Sequence, residues 1–97
     1  MATVVSPLRC YLVEWYRSAI VGETVGNFTA VLDDCAASIS AGGDHVRLLT
    51  VLAVPADEVL FGVFAASSAD LVARTCLKAG VPVQRLSDAI DARIAHL

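Results

Sequence analysis

Cysteine, proline, histidine and aromatic side chains are all scarce in this sequence, and each scarcity narrows the functions open to it. There are three cysteines, Cys10, Cys35 and Cys76, far apart and each set among apolar neighbours. An odd, scattered set of this kind builds no disulfide framework and is the usage of small buried hydrophobes in a reducing cytosol. None has a histidine beside it in sequence to act as a base, so nucleophilic cysteine catalysis is not expected. The two histidines, His45 and His96, form no short-spaced pair, whereas a metal centre needs three or four convergent ligands. Neither a metal nor any other cofactor is expected.

Positive charge is also in short supply. Seven Lys and Arg stand against ten Asp and Glu, a formal net charge of −3, and the charges are scattered singly. This balance provides no electrostatic footprint for nucleic acid and no polybasic membrane anchor. No apolar run approaches the ~18 residues of a membrane span, because Pro55, Asp57 and Glu58 break the most hydrophobic stretch. The first positive side chain is Arg9, so the opening residues lack the charged start of a secretion signal. A cytoplasmic location is the expectation. Gly42-Gly43 follows a helical pattern instead of opening one, which removes the phosphate-loop reading.

What the chain does have is aliphatic bulk. Of its 97 residues 57% are hydrophobic although only 6% are aromatic, so the excess is Ala, Val and Leu. A chain this short buries only about 65% of its unfolded surface, and a lone domain of this size is thinly stable. The spare apolar surface suggests a partner. Residues 1–8 show no period and read as a flexible arm, leaving 9–97 as one domain.

The elements follow from residue type and spacing. Arg9 to Tyr16 is short and rich in β-branched and aromatic side chains, which predicts a strand with Cys10, Leu12, Glu14 and Tyr16 on one face and Tyr11, Val13 and Trp15 on the other. Val25, Phe28, Leu32, Cys35, Ala36 and Ile39 recur at threes and fours and predict a helix from about Glu23 to Ala41, started by Glu23 and Thr24 and ended by Gly42-Gly43. His45 to Val54 and Val59 to Ala65 read as a hairpin around Pro55-Ala56-Asp57-Glu58, with Val46, Leu48 and Leu52 alternating against Leu49, Val51 and Ala53. Both faces of these strands are apolar, so both need cover. A second helix from about Ala69 to Ala79 is opened by the capping spacing Ser67 to Asp70 and closed by Gly80 and Pro82. The tail from Gln84 to about Ile94 fits either a strand or a helix, and the missing fourth strand favours β.

The resulting order β-α-β-β-α-β is that of the ferredoxin-like α+β fold, a four-stranded antiparallel sheet with two helices on one face. The uncovered apolar face leads to the expectation of a homodimer, sheet against sheet, forming a dimeric α+β barrel. Tyr11-Leu12-Val13-Glu14, the run from Asp57 to Phe64, and especially Lys78-Ala79-Gly80-Val81-Pro82-Val83-Gln84-Arg85-Leu86 resemble the bacterial DUF4242, nickel-binding-protein-like group of small dimeric α+β proteins. The resemblance implies that fold and, in its metal-binding members, nickel. Those members carry histidines near the first strand, where this chain has Trp15 and Tyr16 after Glu14.

Candidate site residues gather on the first two strands. Glu14, a carboxylate in an apolar strand, would sit on the rim, pair with a cation such as Arg47, or line a cavity. Trp15, Tyr16 and Phe61 offer apolar contact area, with Arg47 as a ligand-binding cation. The expected function is a small-ligand-binding or protein-interaction module. Its alternatives are a cofactor-independent isomerase or oxygenase acting on a hydrophobic small molecule, with Glu14 as base and Tyr16 or His45 assisting, and the nickel binding implied by resemblance. Gly62 in mid-strand marks a close approach by a helix or an aromatic ring.

Overall fold

A computed structural model describes residues 9–16 and 25–90. The N-terminal arm, the helix start at Glu23 and Thr24, the tail beyond Ile90 and His96 lie outside the described residues. Within them the order is β1 (Arg9–Tyr16), α1 (Val25–Ala41), β2 (Val46–Val54), β3 (Val59–Ala66), α2 (Ala69–Lys78) and β4 (Arg85–Ile90). The strands form one antiparallel sheet in the order β2-β3-β1-β4, which is the ferredoxin-like arrangement.

The expectation of a barrel is corrected. The sheet is open, with β2 and β4 as its two edges, and it does not close on itself. Barrel closure would need the first and last strands of the order to pair. The homodimer tied to that barrel therefore finds no support in the fold.

One face of the sheet carries the core. Tyr11, Val13 and Trp15 of β1, Val46 and Leu48 of β2, and Leu60, Phe64 and Ala66 of β3 pack beneath Phe28, Leu32 and Ala36 of α1 and Leu71, Val72 and Cys76 of α2. The α1 stripe is narrower than its spacing implied: Val25 is exposed and Cys35 only half-buried. In β2 the simple alternation fails. A bulge at Leu49 shifts the register between Leu48 and Thr50, so Val51 and Ala53 continue the helix-covered face while Leu52 and Val54 join the other one.

The helix ends and the turn are set by local chemistry. Ser68, not Ser67, caps α2, its hydroxyl accepting from the Leu71 N–H at 3.4 Å. At the other end the Val81 N–H donates to the Cys76 carbonyl at 3.0 Å and the Gly80 N–H to the Leu77 carbonyl at 3.0 Å, with Gly80 at φ +80°, the pattern of a Schellman stop. The hairpin turns through a single 3₁₀ turn, Pro55–Asp57, after which Glu58 takes the left-handed conformation, φ 54°.

Trp15 joins these parts. Its indole N–H donates to the Val81 carbonyl at 2.9 Å, its ring meets Phe28 edge-on at 4.9 Å and 84°, and it lies across the backbone of Gly62. A methyl group at residue 62 would stand 2.7 Å from Trp15 Cη2 and 3.1 Å from Phe64 Cε1. Gly62→Ala is therefore expected to destabilise by about 1–3 kcal/mol through overpacking, and Phe28→Ala by about 3–5 kcal/mol through cavity formation. Denaturant midpoints measure both; a neutral Gly62→Ala would show that the indole does not rest on that strand.

Candidate functional site

The second face of the sheet is assembled by the same registers. Glu14 stands between Phe61 of β3 and Arg85 of β4, and Phe61 in turn opposes Leu52 of β2. The next row runs Thr50, Val63, Leu12, Ser87, and Val54 with Val59 extends the apolar area toward the hairpin turn. The described helices, α1 and α2, both pack on the opposite side. Leu52 is 54% exposed, whereas Val63 on β3 is only 7% exposed.

The charged pair of this face stands at the β1–β4 corner. Arg85 Nε lies 3.4 Å from Glu14 Oε2, and the Tyr16 hydroxyl donates to Glu14 Oε1 at 3.4 Å. The Tyr16 backbone N–H donates to the Gln84 side-chain carbonyl, fixing the end of β1 against the entry to β4. The Glu14 side chain is 16% exposed and that of Arg85 is 67% exposed, so the pair is bathed in water on its cationic side. Such a pair contributes at most about 1 kcal/mol and chiefly orients the carboxylate.

The candidate residues separate into distinct places. Glu14, Tyr16 and Phe61 share the open face. Trp15 faces the opposite way, fully buried with its N–H committed to Val81, so it has no surface to offer a ligand there. Arg47 opposes Ala65 near the far end of the sheet, and His45 precedes β2 at that same end. Five residues of β3 separate the levels of Phe61 and Ala66, about 17 Å at roughly 3.3–3.4 Å each. The cation that meets Glu14 is thus Arg85, and neither Arg47 nor His45 stands beside it. Arg85 and Gln84 escaped the sequence reading because the pairing of β1 with β4 links the two ends of the chain, and no local turn announces its register. Among the described residues no three His, Cys, Asp or Glu side chains converge as a metal site requires.

Comparison with known proteins adds the fold. No family model and no curated protein matches the chain, so the resemblance carried by residues 78–86 receives no support from either. A crystal structure does match. The SCO4226 protein from Streptomyces coelicolor A3(2) superposes with a TM-score of 0.62 at 15% identity, over 90% of this chain and 99% of that one. At this identity the likeness shows the α+β architecture and nothing of activity. No helix among the described residues is long and apolar enough to cross a membrane.

Among the thiols, Cys76 is inert by position. Burial pushes it up from 9.0 to about 12, and Cys35 adds to the shift in the same direction. Because the folded value is raised, the stability that the neutral thiol contributes is fully present below pH 9.0 and is lost as pH climbs toward 12. Wild type is expected to lose stability above pH 9 more steeply than Cys76→Ala, as read from unfolding midpoints at pH 8, 9, 10 and 11; parallel curves would refute the buried neutral thiol. For the open-face corner, Glu14→Gln should lower stability by less than about 1 kcal/mol, with the difference shrinking in high salt. A loss of several kcal/mol in that variant would mean that Arg85 is held far drier than its exposure indicates.

Proposed function

We propose that this protein is a binding module whose working surface is the open face of its sheet, receiving an apolar protein surface or a hydrophobic small molecule. The observation that carries this reading is the contiguous apolar set Leu12, Leu52, Val54, Val59, Phe61 and Val63 on the sheet face opposite α1 and α2, which is exposed at its β2 edge, where Leu52 is 54% exposed. Two helices satisfy one side of a two-sided hydrophobic sheet, and the excess aliphatic content of the chain sits on the other. The Glu14, Tyr16 and Arg85 corner supplies orientation: a partner entering over Phe61 meets an ion pair on the β4 side of the patch. The catalytic reading is the weaker one, since both carboxylate oxygens of Glu14 already have partners and a base would have to release one before accepting a proton.

The test is direct. Wild type should bind an environment-sensitive apolar dye such as anilinonaphthalene sulfonate in its native state. Leu52→Lys, a change on the exposed β2 edge of the patch, should weaken that binding about tenfold while leaving the unfolding midpoint nearly unchanged. A wild type that binds no dye, or a Leu52→Lys protein that binds it identically, would overturn the reading.

A further inference from the structure

The corner of the open face where β1 meets β4 has an uneven hydrogen-bonding balance. Both carboxylate oxygens of Glu14 have partners, Oε1 the Tyr16 hydroxyl at 3.4 Å and Oε2 the Arg85 guanidinium at 3.4 Å. The Gln84 side-chain carbonyl is engaged as well, by the Tyr16 backbone N–H. The acceptors of the corner are in use, and donors are left over. Arg85 meets Glu14 through Nε, which leaves the two terminal nitrogens of its fork, and its side chain stands 67% exposed on the edge strand β4. Beside this surplus lies the apolar set. Glu14 adjoins Phe61 on β3, Phe61 adjoins Leu52 on β2, and Leu12 takes the next position of β1 on the same face. Three strand spacings of about 4.8 Å carry the face from β4 to β2, about 14 Å in all, comparable to an extended alkyl chain of medium length.

This combination selects a ligand class. The terminal edge of a guanidinium is the preferred partner of a planar carboxylate, and Glu14 steadies Arg85 from the Nε side. An ammonium would find in Glu14 a carboxylate already partnered on both oxygens, and would meet the charge of Arg85. An uncharged chain would bind by apolar area alone. We propose that the open face binds an amphiphilic carboxylate, a medium-chain fatty acid, with its head on the terminal nitrogens of Arg85 and its chain over Leu12, Phe61 and Leu52. This ligand class rests on the open-face reading given above and names the small molecule for it.

Titrating the full chain at neutral pH with octanoate, octanol and octylamine, each to about 1 mM, and following backbone amide shifts tests it. Octanoate is expected to shift Leu12, Phe61 and Leu52 saturably and to bind about tenfold more tightly than octanol, with octylamine the weakest. Arg85→Gln should weaken octanoate about tenfold and leave octanol unchanged. Glu14→Gln, which keeps a carbonyl for the Arg85 Nε and removes the competing charge, should strengthen octanoate. Arg74→Gln, a change on α2 where Arg74 pairs with Asp44 at 3.8 Å, should alter nothing. Octanoate bound no more tightly than octanol, an Arg85→Gln protein that binds it as well as wild type, or a Glu14→Gln protein that binds it more weakly would overturn the carboxylate site and leave the open-face reading standing. A protein that binds none of the three overturns the ligand class, and one that also binds no anilinonaphthalene sulfonate overturns the open-face reading with it.

Discussion

The indole of Trp15 is the constraint on which the rest of the packing depends. It is the largest fully buried side chain, and it sits where four elements meet: it belongs to β1, lies on Gly62 of β3, abuts Phe28 of α1 and donates to Val81 just after α2. A buried indole needs a partner for its N–H. The Schellman stop of α2 provides it, because Gly80 in the left-handed conformation reverses the chain and presents the Val81 carbonyl to the core. Gly62 and Gly80 thus answer two different needs of one side chain, room for its face and a bond for its edge.

The same packing decides which face remains open. With Trp15, Val13 and Tyr11 committed to the helices, strand alternation leaves Leu12, Glu14 and Tyr16 on the far side. The bulge at Leu49 then recruits Leu52 and Val54 to that side and returns Val51 to the core. Without it, a strict alternation through β2 would keep Leu52 with Val46 and Leu48 beneath α1 and turn Val51 outward. One inserted residue therefore enlarges the open apolar surface while preserving the core.

The sequence conveyed the features whose causes are local. The stripe of Phe28, Leu32 and Ala36, the stop at Gly80, the turn after Pro55 and the close approach at Gly62 each follow from a few neighbouring residues, and each is present. What depends on distant partners was not readable. The bulge at Leu49 is invisible in a run in which nearly every residue is apolar, since such a run looks the same in either register. The choice of Arg85 over Arg47 as the neighbour of Glu14 rests on β1 pairing with a strand about seventy residues away. Ser68 displaced Ser67 as the cap because the Ser67 N–H is used by the His45 carbonyl, which keeps that residue in the sheet connection.

The Glu14 corner shows how an apolar face can carry a carboxylate without either group defeating the other. A lone carboxylate among Phe61 and Leu12 would lose hydration that its neighbours do not replace. Here one oxygen takes the Tyr16 hydroxyl and the other the Arg85 guanidinium, and Arg85, on the edge strand, keeps most of its surface in water. The charge is thereby neutralised at the border of the patch instead of at its centre. Leu12, Val63, Phe61 and Leu52 remain contiguous, and the ion pair lies beyond Phe61 on the β4 side. The carboxylate is held in this way beside an apolar area, with its countercharge toward solvent, and neither group is left without a partner.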